Sequence, residues 1–305
     1  MNVNLAVKIG KLKLKNPVMV ASGTFGYAKE FEDFIKLKKL GAIVTKTITL
    51  NPRQGNLPPR TCETPAGMLN SIGLENPGWE VFLKDKLPFL KKLGLPLIVS
   101  IASEGGPKEF VELARRISKI SAVSALELNI SCPNVVGQKR LISQDPKATY
   151  QIVKAVRQVT SQTLITKLSP NVTCISAVAQ AAEEAGSDAI SLINTLSGMS
   201  IDLERRKPKL AAITGGLSGP AIRPVAIKMV WEVYNKIKIP IIGMGGIIDT
   251  SSALEFFIAG ATAVSIGTAN FIDPGVSVEI ISGLQEYLKR NKISGIEKLT
   301  GSLKI

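Results

Sequence analysis

Cys132 stands in the run Asn129-Ile130-Ser131-Cys132-Pro133-Asn134, a thiol set among amides and followed at once by a proline. A turn of that composition, directly after an apolar stretch, holds a side chain where a thiol of pKa about 8.5 is partly ionised and can take a proton. The protein has no histidine, which excludes imidazole relays and metal sites built on imidazole. Acid–base work therefore falls to Cys, Lys, Tyr, Asp or Glu. A lone cysteine can equally be a buried apolar filler, and Cys62 and Cys174, which lack such surroundings, are read as structural. Three cysteines without a C-x-x-C pair cannot supply four thiolates to an iron–sulfur cluster, and no metal site is expected.

Lys46 and Lys167 each close an otherwise apolar stretch. One such lysine reads as a stem snorkelling to solvent; two on separate stretches suggest a site that handles anions, and a reduced flavin carries negative charge that a nearby cation stabilises. Gly245-Gly246 and Gly267-Thr268 follow two late apolar runs, where glycine lets backbone N–H groups approach a phosphate; ordinary turns use glycine too. Asn70, Asn129, Asn134 and Asn194 offer donor and acceptor together, which suits a ring with alternating N–H and C=O edges such as a pyrimidine. Any one of them alone would be a routine turn residue.

These residues need a frame that brings distant segments to one place. Eight short apolar runs read as strands: Pro17–Val20, Ala42–Thr45, Leu97–Ile101, Ala125–Ile130, Leu164–Leu168, Ala189–Ile193, Ile241–Gly243 and Ala263–Ile266. Helical spacing separates them, as in Phe110, Leu113, Ala114 and Ile117 within 107–118, in Ile175, Val178, Ala179, Ala182 and Ala185, and in Ala253, Phe256, Phe257 and Gly260. Pro146 and Pro224 sit near helix starts, where a missing N–H is harmless. Repeated β-α units with continuous apolar strands predict a parallel sheet covered by helices. Eight of them favour a closed (β/α)8 TIM barrel, in one domain over 1–305. A hairpin is expected ahead of it, from Val3–Val7 and Lys11–Leu14 with its turn at Ile9-Gly10. In such a barrel, polar groups at strand C-termini form the site. That collects Ser22, Lys46, Thr47, Ser100, Asn129, Lys167, Asn194, Thr195, Gly245, Gly246, Gly267 and Thr268. The long connections 50–96 and 194–224 are expected to lie over the same mouth as loops.

Bulk properties narrow the class. Apolar residues make up 45% of the 305, enough for a large core, and no run approaches the roughly 20 apolar residues of a membrane helix. The N-terminus, broken by lysines, reads as neither signal nor anchor; a soluble cytoplasmic protein is expected. The net charge of +14 suits an anionic partner, yet the basic residues are spread over helix faces without aromatic interleaving, so nucleic acid is not expected. No G-x-G-x-x-G follows the first strand and no P-loop motif occurs anywhere.

Several segments together resemble the dihydroorotate dehydrogenases. They are Ala21-Ser22-Gly23-Thr24-Phe25-Gly26, the stretch from Glu63 to Leu74 (Glu-Thr-Pro-Ala-Gly-Met-Leu-Asn-Ser-Ile-Gly-Leu), the cysteine turn, and Lys167-Leu168-Ser169-Pro170-Asn171. Ser191-Leu192-Ile193-Asn194-Thr195, Gly215-Gly216-Leu217-Ser218-Gly219-Pro220 and Ile241-Ile242-Gly243-Met244-Gly245-Gly246-Ile247 complete the match. The resemblance implies FMN across the mouth, contacted at Ser22, Lys46, Thr47, Ser100, Asn129, Lys167, Ile193, Gly219, Gly245, Gly246, Gly267 and Thr268. It implies dihydroorotate held by Lys46, Asn70, Ser71, Ile72, Gly73, Leu74, Asn129, Asn194 and Thr195, with Cys132 as the base. It also implies a homodimer. The Glu-Thr-Pro-Ala-Gly-Met and Leu-Ile-Asn-Thr segments look like the NAD-linked class, which implies a heterotetramer with a second subunit carrying FAD and a [2Fe-2S] cluster. One departure is the loop 135–144, where a single glycine, Gly137, stands in a lid expected to hold more. A fumarate-linked relative, a flavin barrel acting on another pyrimidine, a flavin-free phosphate-binding barrel and a basic nucleic-acid module are the competing readings.

Overall fold

A computed structural model describes residues 3–103, 106–130 and 142–305. The eight barrel strands run over Val18–Val20, Ala42–Val44, Leu97–Ile101, Ala125–Asn129, Thr163–Lys167, Ala189–Leu192, Ile241–Gly243 and Ala263–Ile266. Each pairs in parallel with the strand before and after it in sequence, and the eighth closes on the first. The expected strands are therefore present, with ends shifted by no more than one residue.

Two hydrophobic layers explain why these runs are apolar on both faces. Val18, Val20, Leu126, Leu128 and Leu164 pack outward beneath helices, among them Pro107–Ile117, whose Phe110, Leu113, Ala114 and Ile117 are all buried. Met19, Ala42, Ile98, Ala125, Ile165, Ala189 and Ala263 fill the barrel interior. The alternation follows from the two-residue side-chain period of a strand. Helix Pro146–Arg157 begins on its proline, and Asp145 caps it by accepting from the Lys147 N–H. Helix Thr250–Ala259, which follows the seventh strand, carries a full capping box between Asp249 and Ser252.

The N-terminal hairpin is shifted from its expected place. Its strands are Val7–Ile9 and Leu12–Leu14, with the turn at Gly10-Lys11. Two contacts move it. Asn4 pairs with Gly295 near the other end of the chain instead of joining the hairpin. Ile9, Leu12 and Leu14 are drawn into the barrel's interior cluster. Gly10, at φ +56°, lies so close to Thr163 and Asp188 at the strand N-termini that a Cβ would sit 2.8 Å from the Thr163 side chain. The hairpin thus closes the end of the barrel opposite the site.

The two long connections are not plain loops. Thr61–Thr64 and Gly67–Asn70 form a hairpin, Leu196–Met199 pairs with Thr214–Ser218, and Thr214–Ser218 joins Gly67–Asn70 to give a four-stranded antiparallel sheet. Its strands are rich in Gly, Ser and Thr and lack the apolar alternation that marks a strand in sequence. Their pairing is also non-local, with Leu69 opposite Leu217. Gly78–Val81, a five-residue π turn over Phe82–Lys86 and Leu87–Lys92 complete the first connection as one helical stretch. Among the described residues no helix is long and apolar enough to cross a membrane.

Candidate active site

Inward-facing residues alternate along the fourth strand as Ala125, Glu127 and Asn129. Asn129 is its last residue and sits at the mouth. Its side-chain amide donates to Thr47 Oγ1 (3.2 Å), Thr47 Oγ1 and Ser100 Oγ are 2.9 Å apart, and Ser100 Oγ donates to Glu127 Oε1 (2.9 Å). Ser191 Oγ donates to the other carboxylate oxygen at 3.2 Å. Thr47, Ser100, Glu127 and Asn129 are all buried. Three expected site residues from three strands are thus tied into one chain of hydrogen bonds. Glu127 and Ser191 were not anticipated; the inward parity of positions 125, 127 and 129 was the available signal for Glu127.

Lys167 ends the fifth strand, 4% exposed, with Nζ donating to Ser22 Oγ at 3.1 Å. A buried ammonium with a neutral hydroxyl partner is suited to an anionic guest, since burial of a charge is costly without compensation. Lys46 lies two residues past its strand end, because the second strand stops at Val44. It is half-buried and lines a cavity of about 610 Å³ together with Tyr27, Arg53, Glu75 and Lys86. Among the described residues, Lys46 is the one expected site residue that lines that cavity. Burial first, and Glu30 second, push the Tyr27 phenol well above its ordinary pKa.

Glycines form the opposite corner. Gly219, Gly245 and Gly246 have φ of +92°, +126° and +77°, conformations that glycine adopts without penalty. A Cβ on Gly246 would meet Gly219 O at 2.8 Å, and one on Gly245 would meet Ile193 Cγ1 at 3.3 Å. Ile193, Gly219, Gly245 and Gly246 therefore lie together. Thr268 Oγ1 donates to Ser218 Oγ at 2.8 Å, joining the eighth strand end to the antiparallel sheet, and a Cβ on Gly267 would make ordinary contact with Ala21 Cβ (3.8 Å) and Thr24 Cγ2 (3.9 Å).

The segment from Asn70 to Leu74 is held by its backbone. Asn56 Nδ2 donates to Ser71 O, Arg53 Nε to Gly73 O and Asn76 Nδ2 to Leu74 O. Ile72 O accepts from the Asn56 N–H. Gly73 and Leu74 both have positive φ, +74° and +56°, and a non-glycine residue in that region is a strained conformation that clusters at ligand sites. Ser71 Oγ is buried without a hydrogen-bond partner among the described residues. Asn70 donates to Gly216 O (3.3 Å), and Thr195 Oγ1 packs directly against Gly216. Asn194 Oδ1 accepts from the Thr195 N–H at 2.8 Å. The sheet strand Thr214–Ser218 thus gathers Asn70, Thr195 and Thr268 over the mouth.

Cys132, with Ser131, Pro133, Asn134 and the lid through position 141, lies outside the described residues. Of that lid, Ile142–Gln144 form a single 3₁₀ turn, and Gln144 Nε2 donates to Asn171 O at 2.8 Å. Cys174, read as structural from sequence, is exposed at the start of helix Ile175–Glu184. Hydrogen bonds from Ser176 Oγ and the Ala177 N–H lower its pKa. Cys62 is half-buried in the antiparallel sheet.

Comparison with known proteins adds two findings. The family model for dihydroorotate dehydrogenase matches residues 4–288. The chain is 53% identical to the dihydroorotate dehydrogenase B (NAD(+)) catalytic subunit of Geotalea daltonii, over 99% of both chains. It is 54% identical to that of Carboxydothermus hydrogenoformans, over 98% of this chain and 97% of the relative. With that of Caldicellulosiruptor bescii it shares 52% identity, over 99% and 100% of the two chains.

Proposed function

Because the chain belongs to the dihydroorotate dehydrogenase family, we propose that it oxidises dihydroorotate to orotate in pyrimidine biosynthesis, with FMN at the barrel mouth and Cys132 as the base. The observation that carries this reading is the meeting of a polar corner, Asn129–Thr47–Ser100 with Lys167–Ser22, and a glycine corner, Ile193, Gly219, Gly245 and Gly246, at one end of the barrel.

The residues present fit a flavin mononucleotide. Backbone at Gly219, Gly245 and Gly246 is packed so closely that a Cβ would clash, so no side chain there would keep a phosphate from the backbone N–H groups, and Gly267 and Thr268 border the same corner. Lys167 supplies a buried cation, beside Ser22, for the anionic reduced ring. When bound, FMN supplies the hydride acceptor. The chain's own groups do the rest. Lys46 offers a cation, and Asn129, Asn194 and Thr195 with Asn70 through Leu74 offer the amides, hydroxyls and backbone groups that hold the pyrimidine. Ser71 Oγ, buried and without a partner among the described residues, suits a ligand oxygen or N–H. The Cys132 thiolate would take the proton from C5 and bound FMN would supply the acceptor for the hydride from C6, so that one proton and one hydride depart and the C5=C6 bond of orotate forms.

The relatives, catalytic subunits linked to NAD(+), support an electron route through a second subunit, which we read as the carrier of FAD and a [2Fe-2S] cluster. A homodimer of this chain is the core of that heterotetramer. Met199, Ile201, Leu203 and Ile213 are exposed large apolar side chains in the connection beyond Thr195, and exposed apolar surface suits association. A cytoplasmic location completes this reading.

The test is spectroscopic. Purified protein is expected to carry the visible absorbance of oxidised FMN, to bleach anaerobically with dihydroorotate, and to reduce NAD only after the partner subunit is added. Colourless protein that takes up no added FMN would overturn the reading. Rapid reoxidation by fumarate would move the chain to the single-subunit class.

A further inference from the structure

The Glu127 carboxyl lies inside the barrel, 2% exposed, one inward position below Asn129 on the same strand. Both its oxygens accept from serine hydroxyls, Ser100 at 2.9 Å and Ser191 at 3.2 Å. No ion pair to it is found among the described residues, and the neighbouring Lys167 ammonium is turned to Ser22 instead. Packing alone gives no reason for an acid here: the barrel interior is otherwise built of apolar residues such as Ile98, Ala125, Ile165, Ala189 and Ile242, and an apolar side chain would fill the space without the cost of burying a polar group.

We propose that Glu127 is a positioning residue that sets the direction of the hydrogen-bond chain Asn129→Thr47→Ser100→Glu127, and so fixes which way round the Asn129 amide meets the pyrimidine. The proposal rests on the functional reading above. A carboxylate has only lone pairs to offer. Ser100, with a single hydroxyl proton, must spend it on Glu127 and can then only accept from Thr47. Thr47 must in turn give its proton to Ser100 and accept from Asn129, which it can do only if Asn129 turns its NH2 group toward it. The observed Nδ2 to Thr47 Oγ1 contact of 3.2 Å has that sense. Without an acceptor-only group at the bottom, each hydroxyl could reverse, and Thr47 would no longer favour one orientation of the Asn129 amide before the ligand.

Four single variants and one double, read in FMN-loaded protein by orotate-induced change in flavin absorbance and by melting temperature, decide the matter. Glu127→Met removes the acceptor and is expected to weaken orotate binding about tenfold, the effect of one mis-set hydrogen bond. Glu127→Gln, whose carbonyl can still accept from Ser100, is expected to restore most of that loss. Ser191→Ala, on the carboxylate oxygen outside the chain, is expected to leave orotate affinity unchanged. Thr47→Val breaks the chain above Ser100, so adding Glu127→Met to it should weaken orotate no further. A Glu127→Met protein that melts lower yet binds orotate like wild type overturns the proposal, as does a double variant whose losses multiply. Should Glu127→Met fail to accumulate, Ser100→Ala against Ser191→Ala decides: a loss confined to Ser100→Ala supports the proposal, and equal losses or none overturn it. Wild-type protein that binds FMN but shows no response to orotate instead removes the functional reading on which the proposal stands.

Discussion

Lys167 Nζ and Ser22 Oγ are 3.1 Å apart although their backbones stand on opposite sides of the barrel, at the ends of the fifth and first strands. The lysine stem therefore runs across the floor of the mouth, and its charge is delivered to the middle of the site. Lys167→Met keeps the stem's length and bulk while removing the charge. Its loss should weaken FMN binding by at least tenfold, the scale of a charge-assisted hydrogen bond, with little change in melting temperature. Titration of apoprotein with FMN, followed by fluorescence, measures it; unchanged affinity would show that the ammonium serves only Ser22.

Cys132→Ala should keep FMN and lose dihydroorotate-driven flavin reduction by roughly 10²-fold or more, as expected for removal of a general base. In the wild type that reduction should accelerate with rising pH as a thiol of pKa about 8.5 ionises. Stopped-flow bleaching across pH separates the two proteins. A pH-independent wild-type rate with a near-normal alanine variant would assign the proton to another group.

Gly246→Ala probes the crowded corner. A Cβ there would stand 2.7 Å from Arg223 Cβ and 2.8 Å from Gly219 O, at a φ of +77°. Both neighbours belong to backbone or to the root of a side chain, so the turn must move. The variant should lose FMN more than it loses secondary structure, read as a fall in bound flavin per protein with an unchanged far-ultraviolet dichroism spectrum.

Asp249 gives a pH-dependent handle on the element behind that corner. Partial burial raises its pKa, but hydrogen bonds from the Ser252 backbone and hydroxyl, aided by Arg223, outweigh that and hold the carboxyl below its ordinary value. A depressed folded-state pKa stabilises the protein above the unfolded value and loses that contribution as pH falls through the folded one. Asp249→Ala should therefore cost about 1 kcal/mol at neutral pH, the usual scale of an N-cap. The difference from wild type should shrink in denaturant melts once the pH drops below about 4. A gap that persists in acid would mean that the cap acts through shape and not through charge.

The eight barrel strands were legible in the sequence because each is buried on both faces, as in Leu97–Ile101 or Ala125–Asn129, and local composition alone marks such a run. The helix over Pro107–Ile117 was legible for the same kind of reason, since its buried stripe repeats within one turn of chain. So were the strand-end positions of Ser22, Asn129, Lys167 and Thr268, because in a parallel barrel the end of every strand faces one mouth. The strand Thr214–Ser218 was not, because it pairs with Gly67–Asn70, far away in sequence, and its glycines pack against Asn70 and Thr195 as well as the nearby Leu210. Nor was Glu127, an acid in an apolar strand whose meaning depends on Ser100 and Ser191, 27 and 64 residues away. Periodicity reports which face of an element is buried. Which polar group waits on the other side of the barrel depends on closure of the sheet, and that exists only once all eight strands have paired.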